Sequence, residues 1–382
     1  MKKKVLLVTL LVVAIVASCF AFTACNKDKG DGDKGVKVAM ITDYGDITDQ
    51  SFNQTTYEAC KAYCDANNIK FKYYKPTGDS TEARVASVNA AIAEGYTIIV
   101  MPGYAFGGTI VEVADNNPEI KFVALDVARG DLLEAKYGKE YDYNPDNPKW
   151  TYQLPSNVTC FVYQEEISGF MAGYAAVKEG YKKLGFLGGM AVPAVIRFGF
   201  GFVQGVNAAA VEMNIANEVS VNYVYGGKFN GTPEITAVMD TWYQGGTEVV
   251  FACGGGIYTS AVEAAEQYDG KVNGVDVDQR PKIGDLCITS AMKGLGSAVN
   301  SALDAYFGGN WASIGGKSEQ LGLAQGDYLG LPTDTDSWGF TTFTVDEYNT
   351  VLDGLKDGSI TVSNDTENQP EVGSHVTVDY VE

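Results

Sequence analysis

The sequence predicts an α/β protein in which parallel β-sheets carry helices on both faces. Short runs of β-branched and apolar residues alternate with segments of helical periodicity from residue 36 to about residue 285. This alternation indicates parallel sheets, because two parallel strands need a long crossover connection, usually a helix. The chain has 382 residues, which is enough for two domains of ordinary size.

The first half of the chain contains four strand–helix units. The predicted strands cover 36–41, 70–75, 96–103 and 120–126, and the helices between them cover 50–68, 80–95 and 107–118. The alternation stops at 129–157, which is rich in Tyr, Asn and Pro and has no period. We expect this stretch to be a long surface loop or a small β-excursion at a crossover between lobes.

The alternation restarts at residue 158 and continues to the end of the second half. The predicted strands cover 158–163, 183–190, 219–226, 247–254 and 272–278, with helices at 164–180 and 196–213 and near 232–244 and 257–268. The tail, 287–382, adds a helix, some strand and a last helix at 344–358. We therefore expect two successive lobes, one formed by 36–157 with about 286–318 and the other by 158–285 with about 319–382.

The N-terminus has the pattern of a secretory signal. A basic "MKKK" precedes a long apolar run that ends at small residues and a cysteine, Cys25, within residues 1–25. The polar residues 26–35 that follow predict a flexible linker, and the whole pattern resembles a bacterial lipoprotein signal with Cys25 as the lipidated first residue. Cys19 is the alternative because "VAS" fits the usual triplet, and a plain cleaved signal without lipid is a third possibility. The predicted location is the extracytoplasmic face of the cell membrane.

Charge and composition exclude several classes of function. The net charge of −20 argues against a nucleic-acid surface, which needs clustered Lys and Arg. The single histidine, His375, removes Ser-His-Asp and Cys-His catalysis and any multi-histidine metal site as expectations. Five cysteines in the globular part, without close CxxC pairs, predict neither a disulfide framework nor a zinc site.

The candidate functional residues lie at the predicted carboxyl ends of strands, where parallel sheets bind ligands. The loop "DYGDITDQSFN" (43–53) follows the first strand, and the later strand ends carry Asp126, Cys253 with Gly254–Gly256, and Asp276 with Asp278. Acids, aromatic residues and bare glycines thus form a ring at one edge of the fold.

The residues of this ring suggest three kinds of site. The carboxylates are numerous enough for Mg²⁺ or Ca²⁺, but Asp43, Asp46 and Asp49 are spaced three apart and form no EF-hand loop. The glycines at 254–256 suggest a phosphate cradle, yet P-loop spacing is absent and the acids repel phosphate. The third is a neutral polyhydroxyl or nucleoside ligand.

A nucleoside suits the residue types in this ring. Carboxylates accept hydrogen bonds from sugar hydroxyls, and an aromatic face stacks on a base. Phe52 beside Asn53, with Asp43 upstream, has the chemistry to stack on a base and to bind its edge. Equally, Phe52 suits the apolar stripe of its helix, and Asp49 suits an N-cap.

The signature "ITDYGDITDQSFNQTTYEA" resembles the opening motif of the basic membrane protein family of lipoproteins. The best-understood type in that family is a purine nucleoside receptor that serves an ABC transporter. Further blocks that resemble the family are "FVALD", "QEEISGFMAGYAA", "KLGFLGGMAVPAVIRFGFGFVQGVNAA", "TEVVFACGGG", "NGVDVDQ" and "ITSAMKG".

The resemblance implies a type I periplasmic-binding-protein fold, with two doubly wound parallel-sheet lobes, three crossovers and a ligand cleft between the lobes. It implies that Phe52 stacks on the purine and that Asn53 and Asp43 bind the base edge. It also implies that Asp126, Asp276 and Lys293 bind the ribose hydroxyls. Gly254, Gly255 and Gly256 would let backbone amides approach the ligand. Phe251 is the second stacking residue by motif, with Phe198 as the alternative.

The sequence departs from the family pattern at two places. "GGGIYTS" replaces the family's usual glycine-glycine-threonine-glycine, so we expect the bulky Ile257 and Tyr258 near the pocket. The 129–157 stretch is longer than in the family, so its tyrosines are candidates to cover the mouth of the cleft.

These inferences predict a solute-binding protein rather than an enzyme. It would bind purine nucleosides such as guanosine, inosine or adenosine, without a cofactor or metal, and pass them to an ABC permease. A simple-sugar-binding protein of the same fold is the first alternative, and a nucleoside-cleaving enzyme is the second.

Overall fold

Two β-sheets with helices on both faces organise the chain, and all their strand pairs are parallel except β10 (Cys287–Lys293) with β12 (Leu329–Gly330). The computed structural model describes residues 35–43, 45–215 and 217–381. The predicted signal peptide, Cys19, Cys25 and nearly all of the linker lie outside the described residues. Val36–Glu382 forms one unit whose hydrophobic cores are built from its own residues.

The first sheet has six strands in the order β11-β5-β4-β3-β1-β2, and all its pairs are parallel. Its strands are β1 (Lys37–Ile41), β2 (Lys70–Tyr74), β3 (Ile98–Pro102), β4 (Lys121–Leu125), β5 (Val158–Tyr163) and β11 (Lys317–Leu321). Alternate residues of these strands face two separate cores. Val38 and Met40 enter one of them, and Ala39 and Ile41 enter the other. Burial on both faces explains the continuous apolar runs in the sequence.

The second sheet has seven strands in the order β12-β10-β9-β8-β6-β7-β13. Its strands are β6 (Lys183–Gly188), β7 (Val219–Tyr225), β8 (Val249–Cys253), β9 (Lys271–Asp276), β10 (Cys287–Lys293), β12 (Leu329–Gly330) and β13 (Val376–Tyr380). The five strands β6 to β10 repeat the order of β1 to β5. Each of these five strand ends in one sheet therefore has an equivalent strand end in the other.

Eleven α-helices lie within the described residues. They are α1 (Phe52–Ala66), α2 (Thr81–Ala93), α3 (Phe106–Val113), α4 (Arg129–Tyr137), α5 (Glu165–Glu179), α6 (Pro193–Glu212), α7 (Pro233–Gln244), α8 (Tyr258–Tyr268), α9 (Arg280–Ile283), α10 (Leu295–Phe307) and α11 (Val345–Asp357). The five cysteines of the globular part are buried as free thiols, two of them on α1 as apolar core residues.

The chain passes between the sheets three times, which agrees with the three expected crossovers. The first passage follows β5, the second follows β10, and the third leads from β11 to β12. Hydrogen bonds tie these passages together. The Gln164 amide donates to the Leu321 carbonyl at 3.0 Å, and the Gly294 amide donates to the Tyr328 carbonyl at 2.7 Å.

The sheet assignments move two of the predicted lobe boundaries. Strand β5, placed in the second lobe by the boundary at 157/158, pairs with β4 and belongs to the first sheet. Strand β10, placed in the first lobe by the start at about 286, pairs with β9 in the second sheet. Both boundaries were wrong by one strand, because each crossover leaves from the end of a strand and not from its start.

The segment 129–157 is neither a plain loop nor a β-excursion, and no crossover lies within it. It begins with α4, whose first turn is held by the Asp131 carboxylate accepting from the Ala128 amide at 2.7 Å. The Arg129 guanidinium then donates to the carbonyls of Pro145, Trp150 and Tyr152. These bonds fold the segment around a small aromatic core of its own.

Helices α5 and α6 are packed unusually closely through glycines. A Cβ atom at Gly205 would lie 1.9 Å from the Phe170 carbonyl oxygen, and one at Gly173 would lie 2.2 Å from that of Phe202. Helix α6 is long and apolar enough, by length and composition, to cross a membrane. However, 61% of its most apolar window is buried inside the fold, where it packs on the second sheet.

Candidate ligand-binding site

A cavity of about 380 Å³ lies at the carboxyl ends of both sets of strands. The first sheet and its helices contribute the loop between β1 and α1 together with Gly103, Tyr104 and Asp126. The second sheet and its helices contribute residues from α6, the loop after β7, and the ends of β8 and β9, while Lys293 ends β10. This is the edge at which parallel sheets bind ligands.

Four strand ends on the cavity have left-handed backbone conformations. Asp126 after β4 has φ 61° and Asp276 at the end of β9 has φ 66°, while Gly103 after β3 and Gly254 after β8 have φ 126° and 135°. Each pair occupies equivalent positions in the two sheets. Left-handed non-glycine residues cost backbone energy and concentrate at functional sites, so the two aspartates are held against an intrinsic preference.

The loop before α1 is fixed by the carboxylate of Asp49. It accepts hydrogen bonds from the amides of Ser51, Asn53 and Gln54 at 2.9, 3.0 and 3.1 Å, and so satisfies the first turn of α1 from outside the helix. The Asn53 side chain also donates to Asp49 at 3.3 Å. That bond fixes the orientation of the Asn53 amide and leaves its Oδ1 atom buried without a hydrogen-bond partner.

Hydrogen bonds from the loop before α1 join the lobes across the cleft. The Ser51 hydroxyl donates to the Asp276 carboxylate, and the Gln279 side chain donates to the Gln50 carbonyl at 2.9 Å. These bonds connect the loop before α1 with the end of β9 and the segment that follows it. The two walls of the cavity are therefore in contact, as in a closed cleft.

Lys293 is the cation of the cavity wall and is 4% exposed. Its Nζ atom lies 2.6 Å from Asp126 Oδ2 and 2.9 Å from Glu165 Oε1, and Glu165 Oε2 in turn accepts from Arg197 Nε at 2.6 Å. The same Nζ atom lies 5.2 Å from the centroid of the Phe52 ring. Alternating charges thus run from the first lobe to α6 of the second lobe.

Burial and neighbouring charges have opposing effects on the pKa values of these acids. It raises the pKa of Asp126, against the opposing charge of Lys293, and raises the pKa of Asp276 to about 6. Burial also tends to raise the pKa of Glu165, but Arg197 and Lys293 together outweigh it and hold the pKa below its usual value. The same acids raise the pKa of Lys293 despite its burial, so the lysine is charged at neutral pH.

The structure brings together every predicted ligand-binding residue except Phe251. The cavity is lined by Asp43, Phe52, Asn53, Asp126, Phe198, Gly254, Gly255, Gly256, Asp276 and Lys293. Phe251 lies in the interior of β8, fully buried against Phe186 and Phe202. Its prediction as a cavity residue was wrong, because strand alternation turns it into the core below α6.

Two other expectations about the pocket differ from the structure. Ile257 and Tyr258 are buried in the core under α7 and α8 and do not line the cavity. No residue of 129–157 lines it either. Among the described residues, no group of three or more His, Cys, Asp or Glu is arranged to hold a metal ion.

The residues missed by the sequence analysis fall into two groups. Phe229 and Tyr104 line the cavity, each from a loop that follows a strand end. Glu165 and Arg197 lie behind Lys293 and do not line it. Phe229 is only partly buried, whereas Phe198 is 2% exposed and its ring packs edge-on against Phe251.

The protein has two doubly wound lobes that are joined by three passages. Polar and aromatic residues from both lobes line the cleft between them. This arrangement defines a two-lobed solute-binding protein. Residues 36–346 match the family model Bmp, described as ABC transporter substrate-binding protein PnrA-like. The chain belongs to this family of ABC transporter substrate-binding proteins, which bind a small-molecule substrate for a transporter.

Relatives and solved structures agree with this assignment. The chain is 25% identical to the ABC transporter nucleoside-binding protein BmpA of Lactococcus lactis, over 80% of this chain and 85% of that protein. It is 27% identical to basic membrane protein B of Borreliella burgdorferi, over 83% and 86%.

Two solved structures share the fold. An ABC transporter solute-binding protein of Aeropyrum pernix superposes with a TM-score of 0.66 and 19% identity, over 85% of this chain and 87% of that one. Another from Conexibacter woesei superposes with a TM-score of 0.65 and 21% identity, over 86% and 99%. The type I binding-protein architecture inferred from the sequence is thereby confirmed.

Proposed function

We propose that the protein is a lipid-anchored, extracytoplasmic receptor that captures nucleosides, purine nucleosides first, and delivers them to an ABC permease. It binds by closure of the two lobes and performs no chemistry on its ligand. The observation that carries the proposal is one cavity in which aromatic rings from both lobes lie beside buried carboxylates and a single lysine.

The aromatic residues suit a flat base. Phe52 stands at the start of α1 in the first lobe, and Phe229 lies in the loop after β7 in the second. A base held between faces contributed by both lobes gains stacking energy of about 1–3 kcal/mol per ring contact. Phe229 is a better second stacking residue than Phe198, because the Phe198 ring is almost fully buried by its own lobe.

The polar groups suit a sugar with hydroxyls and a base with an N–H donor. Asp126 Oδ1 and Asn53 Oδ1 are buried and have no hydrogen-bond partner. A buried acceptor without a donor costs about 1–3 kcal/mol, and a ligand that donates to it removes that cost. Asp276 and Lys293 lie in the same cavity and complete a set that binds vicinal hydroxyls.

The charges of the cavity argue against a phosphorylated ligand. Five aspartates line it, Asp43, Asp46, Asp49, Asp126 and Asp276, against one lysine that is already paired with Asp126. The Lactococcus relative is named a nucleoside-binding protein, which supports the same ligand class. The cavity volume of 380 Å³ falls within the range of about 300–1,000 Å³ that is typical of small-molecule sites.

The test is calorimetric titration of residues 26–382, unfolded and refolded to remove carried-over ligand. The panel is guanosine, inosine, adenosine, cytidine, ribose and galactose. We expect tight binding of at least one purine nucleoside and no binding of free ribose. Binding of a free sugar with silent nucleosides would establish a sugar-binding protein instead, and release of free base from a nucleoside would indicate an enzyme.

The site assignment makes a separate prediction. Phe52→Ala and Asp126→Ala each weaken nucleoside binding at least tenfold, about 1.4 kcal/mol, because one removes a stacking face and the other a hydroxyl acceptor. Titration of both variants gives the measurement. Phe307→Ala and Asp353→Ala, at exposed positions on α10 and α11, are the matched controls and should bind like the wild type. Unchanged affinity in both site variants contradicts the assignment.

Membrane attachment is tested on the full chain in a bacterial host. Cys25→Ser should move the protein from the membrane fraction to the medium or periplasm, because the lipidated thiol is lost. Cys19→Ser is the control and should leave the protein in the membrane fraction. The reverse pattern would identify Cys19 as the lipidated residue.

A further inference from the structure

The residues behind Lys293 form a chain of opposite charges that begins at the ligand cavity and ends outside it. Asp126 and Lys293 line the cavity, whereas Glu165 and Arg197 do not. Lys293 Nζ lies 2.9 Å from Glu165 Oε1, in an ion pair whose angles do not suit a hydrogen bond, and Glu165 Oε2 accepts a well-formed bond from Arg197 Nε at 2.6 Å. The Glu165 side chain is fully buried.

Two of these charged residues flank the passages between the lobes. Glu165 is the first residue of α5, directly after the first passage, and Lys293 is the last residue of β10, directly before the second. Their ion pair therefore links two of the three chain segments about which the lobes can move. Asp126, the other partner of Lys293, belongs to the first lobe.

Arg197 lies next to close backbone contacts between α5 and α6. It lies on α6 beside Phe198, and a Cβ atom on Gly169 of α5 would lie 2.1 Å from the Phe198 carbonyl oxygen. A Cβ atom on Gly201 would lie 2.1 Å from the Glu166 carbonyl oxygen. Because the two helix backbones touch within one to four residues of the pair, Arg197 and Glu165 have little freedom to separate.

Stability alone does not account for this arrangement. A buried ion pair usually adds little net stability over an apolar replacement of similar shape, because both charges lose their hydration. Its value lies in fixing geometry. Lys293 has a flexible side chain, and its ammonium lies at the cavity wall between three aromatic rings. The Nζ atom is 5.2 Å from the centroid of Phe52, 4.8 Å from that of Tyr163 and 5.9 Å from that of Phe198.

We propose that Glu165 and Arg197 are positioning residues, which hold the Lys293 ammonium at the cavity wall and so set ligand affinity without touching the ligand. The proposal rests on the function proposed above. The Arg197–Glu165 pair anchors Lys293 to the second lobe, and Asp126 of the first lobe meets the ammonium when the cleft is closed. The Lys293 ammonium then takes part both in lobe closure and in ligand binding.

The first test is a double-mutant cycle with inosine as the probe. Glu165→Gln and Arg197→Met keep side-chain size, remove one charge each, and should weaken inosine binding about fivefold or more. Arg197→Lys should recover part of the loss, because it restores a cation beside Glu165. In a Lys293→Met background, Glu165→Gln should change the affinity less than about twofold, since Glu165 acts through the lysine.

Additive effects in the cycle, or wild-type affinity in both single variants, would overturn the proposal. A general packing defect is recognised by a lower thermal midpoint together with additive effects. Arg280→Met is the matched control. Arg280 pairs with the exposed Asp285, away from the cavity lining, and its variant should bind inosine like the wild type.

The second test needs no ligand and separates this proposal from the nucleoside assignment. In ¹⁵N-lysine-labelled protein, hydrogen exchange of the Lys293 ammonium should be at least about tenfold faster in Glu165→Gln than in the wild type, since a buried ion pair is opened. If the wild type binds none of the purine nucleosides of the panel and the exchange still differs between the two proteins, the nucleoside assignment is refuted and the positioning role is supported. Equal exchange in both proteins refutes the positioning role, whatever the ligand is.

Discussion

Asp126 and Asp276 combine an unusual backbone conformation with a polar side chain in the cavity. Each ends an equivalent strand of its sheet, and each is held in the left-handed region, where an L-residue with a side chain is disfavoured. Asparagine and aspartate tolerate that region better than other residues. The site therefore uses residue types that combine an acceptor side chain with an unusual backbone.

Asp276 should make stability and binding depend on pH in opposite ways. Burial raises its pKa from 3.8 to about 6. A carboxyl group whose folded-state pKa is raised stabilises the fold below about pH 4, and that contribution is lost as the pH rises through about 6. Ligand affinity should rise over the same window, because the ionised carboxylate is the better acceptor.

Asp276→Asn tests this linkage, because it keeps the shape and tolerates the same backbone. Relative to the wild type, its thermal midpoint should rise as the pH is taken from 4 to 7, while nucleoside affinity at pH 7 should fall about tenfold. Asp353→Asn, on the exposed face of α11, is the control. A midpoint difference that does not change with pH would show that Asp276 is ionised at every pH tested.

At the residue scale, the strand-end rule predicts most of the residues that line the cavity, and the two errors arose where the rule was not applied. Phe251 was selected by motif although it lies two residues before the end of β8, where alternation sends it into the core. Phe229 was missed although it follows the end of β7, where the same rule applies. The ion pairs of Glu165 and Arg197 depend on helix packing between distant segments, and no local pattern marks them.

At the scale of elements, the glycines of α5 and α6 determine how the second lobe is built. Glycine inside a helix normally costs about 1 kcal/mol relative to alanine. Here the missing side chains let the two backbones touch, and the packing between the helices offsets the cost of the glycines. The sequence shows these glycines at four-residue spacing, but spacing alone does not say which helix they face.

Gly205→Ala should therefore destabilise the protein, against the usual effect of the substitution in helices. The added Cβ would lie 1.9 Å from the Phe170 carbonyl oxygen, and overpacking of this kind typically costs about 1–3 kcal/mol. Urea unfolding of the variant measures the change. Gly78→Ala, where no atom lies within 4 Å, is the control and should be neutral. A stabilised Gly205→Ala would mean that the helices are further apart in solution.

One element that the sequence does not predict is α4. It has nine residues, and only Leu132 and Leu133 are buried, so its apolar periodicity is too short to recognise. Its start depends on the carboxylate of Asp131, within a sequence otherwise rich in loop-forming residues.

At the scale of the whole molecule, the order of strands and helices follows from the sequence, but the partition between sheets does not. Strands β5 and β10 have the same local pattern as their neighbours, and only their pairing shows to which sheet they belong. Register and pairing are long-range properties, and a strand at a crossover is compatible with either lobe until they are known.

The contacts across the cleft predict how closure responds to mutation. Ser51→Ala removes the hydrogen bond to Asp276 but leaves α1 intact, because the Ser51 side chain does not cap that helix. We expect a larger radius of gyration by X-ray scattering in the ligand-free variant than in the ligand-free wild type, and equal radii when both are saturated with ligand.

Ser80→Ala is the matched control for closure. The Ser80 hydroxyl caps α2 within the first lobe, so this variant should lose stability and keep the wild-type radius. Equal radii for wild type and Ser51→Ala without ligand would show that the Ser51–Asp276 contact does not hold the cleft closed.

The three passages between the sheets lie side by side and are hydrogen-bonded to one another. In mechanical terms they form a strap rather than a thread, and a strap bends about one line while it resists twisting and sideways shear. The two halves should therefore have a single soft coordinate, the opening angle. Spin labels placed on the two rims would then report distances that all change together, and one measured pair would predict the rest.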